Sequence, residues 1–280
     1  MALVNSLVLM QYAKKNNFAI PAFNVDNLES VMAVTEALTQ LKTPVIIQTI
    51  PRTLNYGGIA TYPAMIKALM AHTDVDYCLH LDHGQNIETA KNCIQNGFSS
   101  VMIDGSSLPF EDNITLTAEV VAYAKEKGIS VEGELGAIGG KEEGEIYLES
   151  SYTSIAEASE FVEKTNVDTL AIGVGTSHGI YKGIPKINVV RIREISNNIP
   201  TPLVLHGATG LDDETIINCI NNGISKINYA TELRLAFTKS IRASLQADNK
   251  IFDPKIYMRE AVDEMKKAII RKIKLLYRHS

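Results

Sequence analysis

Eight short apolar runs alternate with helix-type patterns along most of this chain, and that alternation limits its possible folds more than any other feature. The runs are FAIPAFNV at 18–25, PVIIQTI at 44–50, YCLHLD at 77–82, SSVMID at 99–104, ISVEGEL at 129–135, DTLAIGVG at 168–175, PLVLHG at 202–207 and ISKINYA at 224–230. Between them LESVMAVTEALTQL, PAMIKALMAH, ETAKNCIQNG, NITLTAEVVAYAKEKG, SIAEASEFVEKTN and DETIINCINNG place apolar residues three and four apart, and several close on Gly or Asn. No linker or low-complexity stretch interrupts the series. The pattern predicts one α/β domain over residues 1–280, a closed (β/α)8 TIM barrel, with a doubly wound open sheet as the alternative.

Polar residues decide between the two. Asn24, Asp82, His83, Asp104, Glu134, His178, His206 and Asn228 fall at or just past the ends of seven of the eight runs. Only a closed sheet gathers those ends into a ring. The tail from about 232 is expected to be helical, broken at Asp253-Pro254, and MALVNSLVLMQYAKKNN reads as an amphipathic opening helix.

Within that ring, His83 in HLDHG, His178 in GTSHG and His206 in LVLHG share one context: the end of a strand beside glycine. Three imidazoles converging there make an open zinc site, in which the fourth tetrahedral position is left for a substrate oxygen. His72, His80 and His279 lack this context and are read as ordinary structural or surface histidines. Glu132 and Glu134 alternate along one strand and so point to the same side of the sheet.

A net charge of −5 offers no polyanion-binding surface, so nucleic acid is not an expected partner. No apolar run approaches the roughly 20 residues needed to span a bilayer, so no membrane partner is expected. Cys78, Cys93 and Cys219, odd in number and in apolar contexts, suit reduced thiols in a cytoplasm.

The segments AFNVDNLES, HLDHG, GFSSVMIDGSSLPFEDNI, SVEGELGAIGGKEEG, TLAIGVGTSHGIYKG, PLVLHGATGL, KINYATEL and DPKIYMREA, in this order, resemble the class II, metal-dependent ketose-bisphosphate aldolases nearly from end to end. The resemblance implies a (β/α)8 barrel that uses zinc to cleave a ketose phosphate, most simply fructose or tagatose 1,6-bisphosphate, reversibly into dihydroxyacetone phosphate and an aldehyde. It implies zinc on His83, His178 and His206, with Asp104 and Glu134 at a second, weaker metal position, for a second divalent or a monovalent cation. Asp82 would serve the C4 hydroxyl as acid and base. Glu142, in the glycine-rich and acidic segment GAIGGKEEGEIYLESSY, would remove the C1 proton from a mobile loop. Asn24, Gly179, Gly207, Ala208, Thr209, Asn228, Tyr229, Ala230 and Thr231 would bind a phosphorylated sugar, and a homodimer or homotetramer is expected.

One segment departs from the family. Ile50 stands where many members have serine or threonine, and Arg52 stands where a small residue is usual. Arg52 is therefore a specificity candidate, for a second phosphate or for a carboxylate, unless it simply pairs with an acid such as Asp26. Arg259 matches a family arginine able to reach the far phosphate from a neighbouring subunit. Two rival readings stand beside the bisphosphate aldolase: an aldolase for a keto-acid phosphate, as in inositol breakdown, and a non-catalytic barrel that binds sugar phosphate.

Overall fold

All eight apolar runs form strands, seven of them shorter than their runs, while the third extends past its run to Gly84. In the computed structural model, residues 2–278 are described except 137, 143, 144, 148–151, 182 and 184, with the backbone alone at 140–142 and 145–147. The first half contains α1 (Ser6–Asn16), β1 (Ile20–Asn24), α2 (Leu28–Leu41), β2 (Val45–Thr49), α3 (Pro51–Gly57), α4 (Thr61–Met70), β3 (Tyr77–Gly84), α5 (Ile87–Gln95), β4 (Ser100–Ile103), α6 (Phe110–Lys125) and β5 (Ser130–Leu135). The second half contains β6 (Gly139–Glu142), β7 (Glu145–Tyr147), α7 (Ile155–Thr165), β8 (Thr169–Ile172), β9 (Ser177–His178), α8 (Val189–Asn198), β10 (Leu203–Leu205), α9 (Asp213–Asn221), β11 (Ile224–Tyr229), α10 (Thr231–Ala247) and α11 (Pro254–Tyr277).

The closed barrel runs β1-β11-β10-β8-β5-β4-β3-β2, with β2 returning to β1. Every one of these pairings is parallel. This is a TIM barrel, in which the crossover helices cover the outward faces of the strands.

Strand alternation divides the apolar residues into two populations. Leu79, Leu81, Val101, Ile103, Val131, Leu170, Ile172, Leu203 and Leu205 point outward and pack under the helices in one continuous core. Ile20, Ala22, Ile46 and Cys78 point inward and meet Leu9 and Ala13 of α1. Met10 meets Ala171 and Val204. The opening helix thus closes the N-terminal end of the barrel. Its Ser6 Oγ lies 2.8 Å from Ser100 Oγ and 2.9 Å from Ser130 Oγ, so the polar atoms buried by this plug are satisfied.

Local chemistry accounts for the element ends. Asn27 and Ser30 form a capping box that starts α2, Ser154 and Glu157 form another at α7, and Pro51 opens α3. The long tail is helical, as its sequence predicts, although the break between α10 and α11 spans 248–253 and not one dipeptide.

The acidic segment after β5 departs from expectation. It is not merely loop: β6 and β7 pair antiparallel, and β6 pairs parallel with β9. Glycine and charge hide its strand character, because its partners are a neighbouring hairpin arm and a distant two-residue strand. Among the described residues no helix is long and apolar enough to cross a membrane.

Candidate metal and substrate site

The site forms because inward positions near the C-terminal ends of the strands carry polar side chains. His83, the penultimate residue of β3, has φ 50°, a left-handed conformation uncommon for a residue with a side chain, at a break in register between β3 and β4. A Cβ on the next residue, Gly84, would collide with the Met102 carbonyl oxygen. The bulge therefore needs glycine there, and it turns the His83 ring toward the barrel axis. Strain of this kind persists where the surrounding structure holds it and commonly marks a working position.

His178 comes from β9 and His206 from the residue after β10. The ring centroids are separated by 5.2 Å for His83 and His178, 4.8 Å for His83 and His206, and 5.9 Å for His178 and His206. One nitrogen from each ring lies within 4.8 Å of the others, close enough for a single ion. His83, Asp104 and Glu134 form a second such group sharing His83.

Buried partners fix the tautomers. His206 Nε2 donates to Glu132 Oε1 at 2.9 Å, and the other Glu132 oxygen accepts from Lys226 Nζ at 2.7 Å. Burial lowers the pKa of His206, which keeps it neutral with Nδ1 as its lone-pair nitrogen. That nitrogen is 3.4 Å from Glu134 Oε2, two electron-rich atoms face to face, a contact that a bound cation would relieve. Burial alone would raise Asp104, but hydrogen bonds from His83 and Ser106 pull it down to about 2. Ionised, it accepts from His83 Nδ1 at 2.8 Å. Three imidazoles, two of them held by carboxylates, are a donor set that suits a divalent metal, zinc above all.

Directly below the triad lies a charged layer with no exposure to solvent: His80, Glu132 and Lys226 are each fully buried. Burial and the charge of Lys226 push His80 down to about 3, so it stays neutral, with Nδ1 2.8 Å from Ser100 Oγ. Burial disfavours the Glu132 carboxylate, yet Lys226 and the hydrogen bond from His206 hold its pKa well below the usual range.

Asp82 is gripped by three amides. Asn24 and Gln48 donate to Oδ2 at 2.8 and 3.0 Å, and Asn228 donates to Oδ1 at 3.0 Å. Gln48 also donates to Asn24 Oδ1 at 2.8 Å, which locks the cluster across β1, β2, β3 and β11. Asp82 Oδ1 is 3.8 Å from His83 Nε2, so carboxyl and imidazole share one reaction space.

A cavity of about 80 Å³ opens over these groups. It is lined by Asn24, Asp82, Asn228 and His178, by the loop residues Gly179, Gly207, Ala208 and Thr209, and by Ala230, Thr231, Arg234 and Ile50. Gly207 sits at φ 69°, and a Cβ there would lie 2.7 Å from the Ser177 carbonyl oxygen. Tyr181 joins the two loops, its hydroxyl donating to Gly207 O at 2.6 Å and accepting from Ser177 N at 3.0 Å. No side chain caps the N-terminus of the 17-residue helix α10, which begins at Thr231 on the cavity wall. Its free backbone N–H groups form a ready anion site.

Most of the residues singled out in the sequence therefore meet at one mouth. Tyr229 does not line the cavity: its ring is fully buried beside Phe23 and Lys272, because it alternates outward from Asn228. Arg259 lies on α11, bonded to Glu36 at 2.7 and 2.8 Å and to Asp263, and is not among the lining residues. Asp26 pairs with Arg234 and not with Arg52. The backbone of Glu142 ends β6, two residues beyond Gly140, whose partner is His178; its side chain lies outside the described residues, as do Glu143 and His279. Gln48, Lys226, Tyr181 and Arg234 were not anticipated. For Gln48 and Lys226 the available signal is a long polar side chain at a fully buried strand position.

The fold and site define a TIM barrel with a metal-capable histidine triad at the C-terminal mouth, the plan of a metal-dependent barrel enzyme. The chain belongs to the class-II fructose-bisphosphate aldolase family, whose model matches residues 4–279. Members are metal-dependent aldehyde-lyases. Among solved structures it is similar to the YdjI aldolase of Escherichia coli K12, with 33% identity, a TM-score of 0.87, and coverage of 98% of this chain and 97% of that one. A candidate fructose-1,6-biphosphate aldolase of Coccidioides immitis is 29% identical, with a TM-score of 0.90 and coverage of 98% and 96%. The fructose-bisphosphate aldolase of Campylobacter jejuni, at 23% identity, TM-score 0.84 and coverage of 99% and 96%, shares the fold.

Proposed function

We propose that this chain is a zinc-dependent aldolase that reversibly cleaves a ketose phosphate, of the fructose or tagatose 1,6-bisphosphate type, into dihydroxyacetone phosphate and an aldehyde. The observation that carries this reading is the convergence of three imidazoles beside an amide-held aspartate at one cavity. A sugar-phosphate-binding module has no use for that set, and family membership supports the same class of reaction.

His83, His178 and His206 would hold the metal, which supplies Lewis acidity toward the substrate ketone and offsets the negative charge that develops as C1 loses a proton. The phosphate of the dihydroxyacetone half is received by the Gly179 and Gly207 loops and by the N-terminus of α10. Asn24, Gln48 and Asn228 orient Asp82, which takes the C4 hydroxyl proton as the bond breaks and returns it in condensation. Glu142 returns a proton to C1 in cleavage and removes it in condensation. Support for its role comes from the backbone, since β6 is laced to the strand that bears His178. The buried free thiols of Cys78, Cys93 and Cys219 fit a cytoplasmic location.

The test is a panel of ketose phosphates assayed for release of dihydroxyacetone phosphate, with and without exhaustive chelation. Release that stops on chelation and returns with zinc is expected; full release from metal-free protein rejects the reading. A second measurement isolates Glu142. Glu142→Ala should slow exchange of the C1 proton of dihydroxyacetone phosphate with solvent by ~10² to 10⁴-fold, the usual contribution of a general base. Equal exchange rates in variant and parent would remove Glu142 from that role.

A further inference from the structure

Past Ile50 the reaction cavity adjoins a second one of about 420 Å³, bounded by Asp26, Ile50, Arg52, Thr53, Tyr56 and Arg234. Ile50 and Arg234 line both, so the two spaces are neighbours across one apolar side chain. Asp26 is already engaged. Arg234 donates to both of its carboxylate oxygens at 2.7 Å, and Thr53 Oγ1 donates to Oδ1 at 3.1 Å. Its backbone is pinned as well, with the N–H donating to Ser30 Oγ at 2.8 Å and the carbonyl accepting from Tyr62 Oη at 3.0 Å. The charges of Asp26 and Arg234 therefore cancel, and Arg52 is the cation left over. It is exposed and has neither a hydrogen bond nor an ion pair among the described residues.

We infer, resting on the aldolase reading above, that the second cavity receives the part of the substrate beyond the bond that breaks, and that Arg52 selects substrates whose far end carries an oxyanion, carboxylate or phosphate. A guanidinium presents a planar fork of donors that matches either group. The outer cavity is several times larger than the inner one, so it reads the far end by charge and not by fit. Solvent screens an exposed guanidinium, which makes the selection moderate and sensitive to salt.

Open-chain six-carbon ligands that cannot be cleaved test this by equilibrium binding to the metal-loaded protein. Glucitol 6-phosphate has a neutral far end, 6-phosphogluconate a carboxylate and glucitol 1,6-bisphosphate a second phosphate. At low ionic strength the parent should bind at least one of the two anionic-ended ligands about ten-fold more tightly than glucitol 6-phosphate, a screened charge-assisted contact being worth about that factor. Whichever is favoured identifies the anion. Arg52→Ala should bring the ratio close to one, Arg52→Lys should keep part of it, and Lys127→Ala, removing an exposed cation elsewhere, should keep all of it. A ratio near one in the parent, no measurable binding of any of the three, or a ratio that survives in Arg52→Ala overturns the inference. Its failure is separable from that of the aldolase reading: a ratio independent of Arg52 leaves cleavage standing, whereas absence of dihydroxyacetone phosphate release from every ketose phosphate rejects cleavage itself.

Discussion

Replacing His206 with alanine should strip the protein of its metal and lower ketose-phosphate cleavage by at least about 10³-fold, since a Lewis acid contributes several kcal/mol and each ~1.4 kcal/mol is a factor of ten. His206 is the most deeply held of the triad: fully buried, tied through Nε2 to Glu132, and carrying Nδ1 toward Glu134. Alanine leaves two imidazoles, and Glu132, which holds the lost ring in the parent, stays tied to Lys226. Elemental analysis should find well under one metal per chain in this variant and a full complement in His72→Ala, whose histidine is exposed and distant from the cavity. Circular dichroism separates loss of metal from loss of fold. Stoichiometric zinc and parental cleavage in His206→Ala would refute the triad.

Lys226→Met is expected to cost ~3–5 kcal/mol of stability, the usual penalty for stripping one partner from a buried ion pair. Lys226 and Glu132 are both sealed from solvent, and their 2.7 Å contact is what holds the Glu132 carboxylate charged inside the barrel. Methionine fills a similar volume, so the loss reports charge and not packing. For a chain of this size the melting temperature should fall by about 10 °C, measured on metal-free protein so that ligand binding does not mask the change. Glu132→Gln combined with Lys226→Met removes both charges and should recover much of the loss. The sign with pH follows from the depressed Glu132 pKa. The pair's contribution is fully present above the ordinary glutamate range and disappears as pH falls through the lower folded-state value, so the deficit of Lys226→Met should be constant across neutral pH. A variant within about 0.5 kcal/mol of the parent would show the pair to be dispensable.

What could be read from the sequence was whatever depends on local periodicity. The run LESVMAVTEALTQL coincides with α2 from first residue to last, because a capping Asn and a clean spacing of three and four bound it. The eight strands were legible, and so was the ring of polar side chains at their ends, since the barrel turns strand register into a position at the mouth. Two kinds of feature were hidden. The left-handed turn at His83 has no signature except the following glycine, and the sheet formed by β6, β7 and β9 depends on a partner about 38 residues away. Pairing choices were hidden for the same reason: both Arg52 and Arg234 could have answered Asp26, and only the folded chain brings Arg234 to it. The outward turn of the Tyr229 ring follows from one step of strand alternation past Asn228.

The three amides around Asp82 are contributed by β1, β2 and β11, and β1 meets β11 along the line where the barrel closes. Two of those three contacts come from strands at opposite ends of the chain, with Asn24 and Asn228 on either side of that line. A nascent or partly folded chain can build most of the sheet and still leave this aspartate unclasped, because joining the ends is the contact of greatest loop-closure cost and is made only when the barrel is complete. The aspartate proposed to handle the C4 proton thus gains its full set of amide contacts only with the final stitch of the fold.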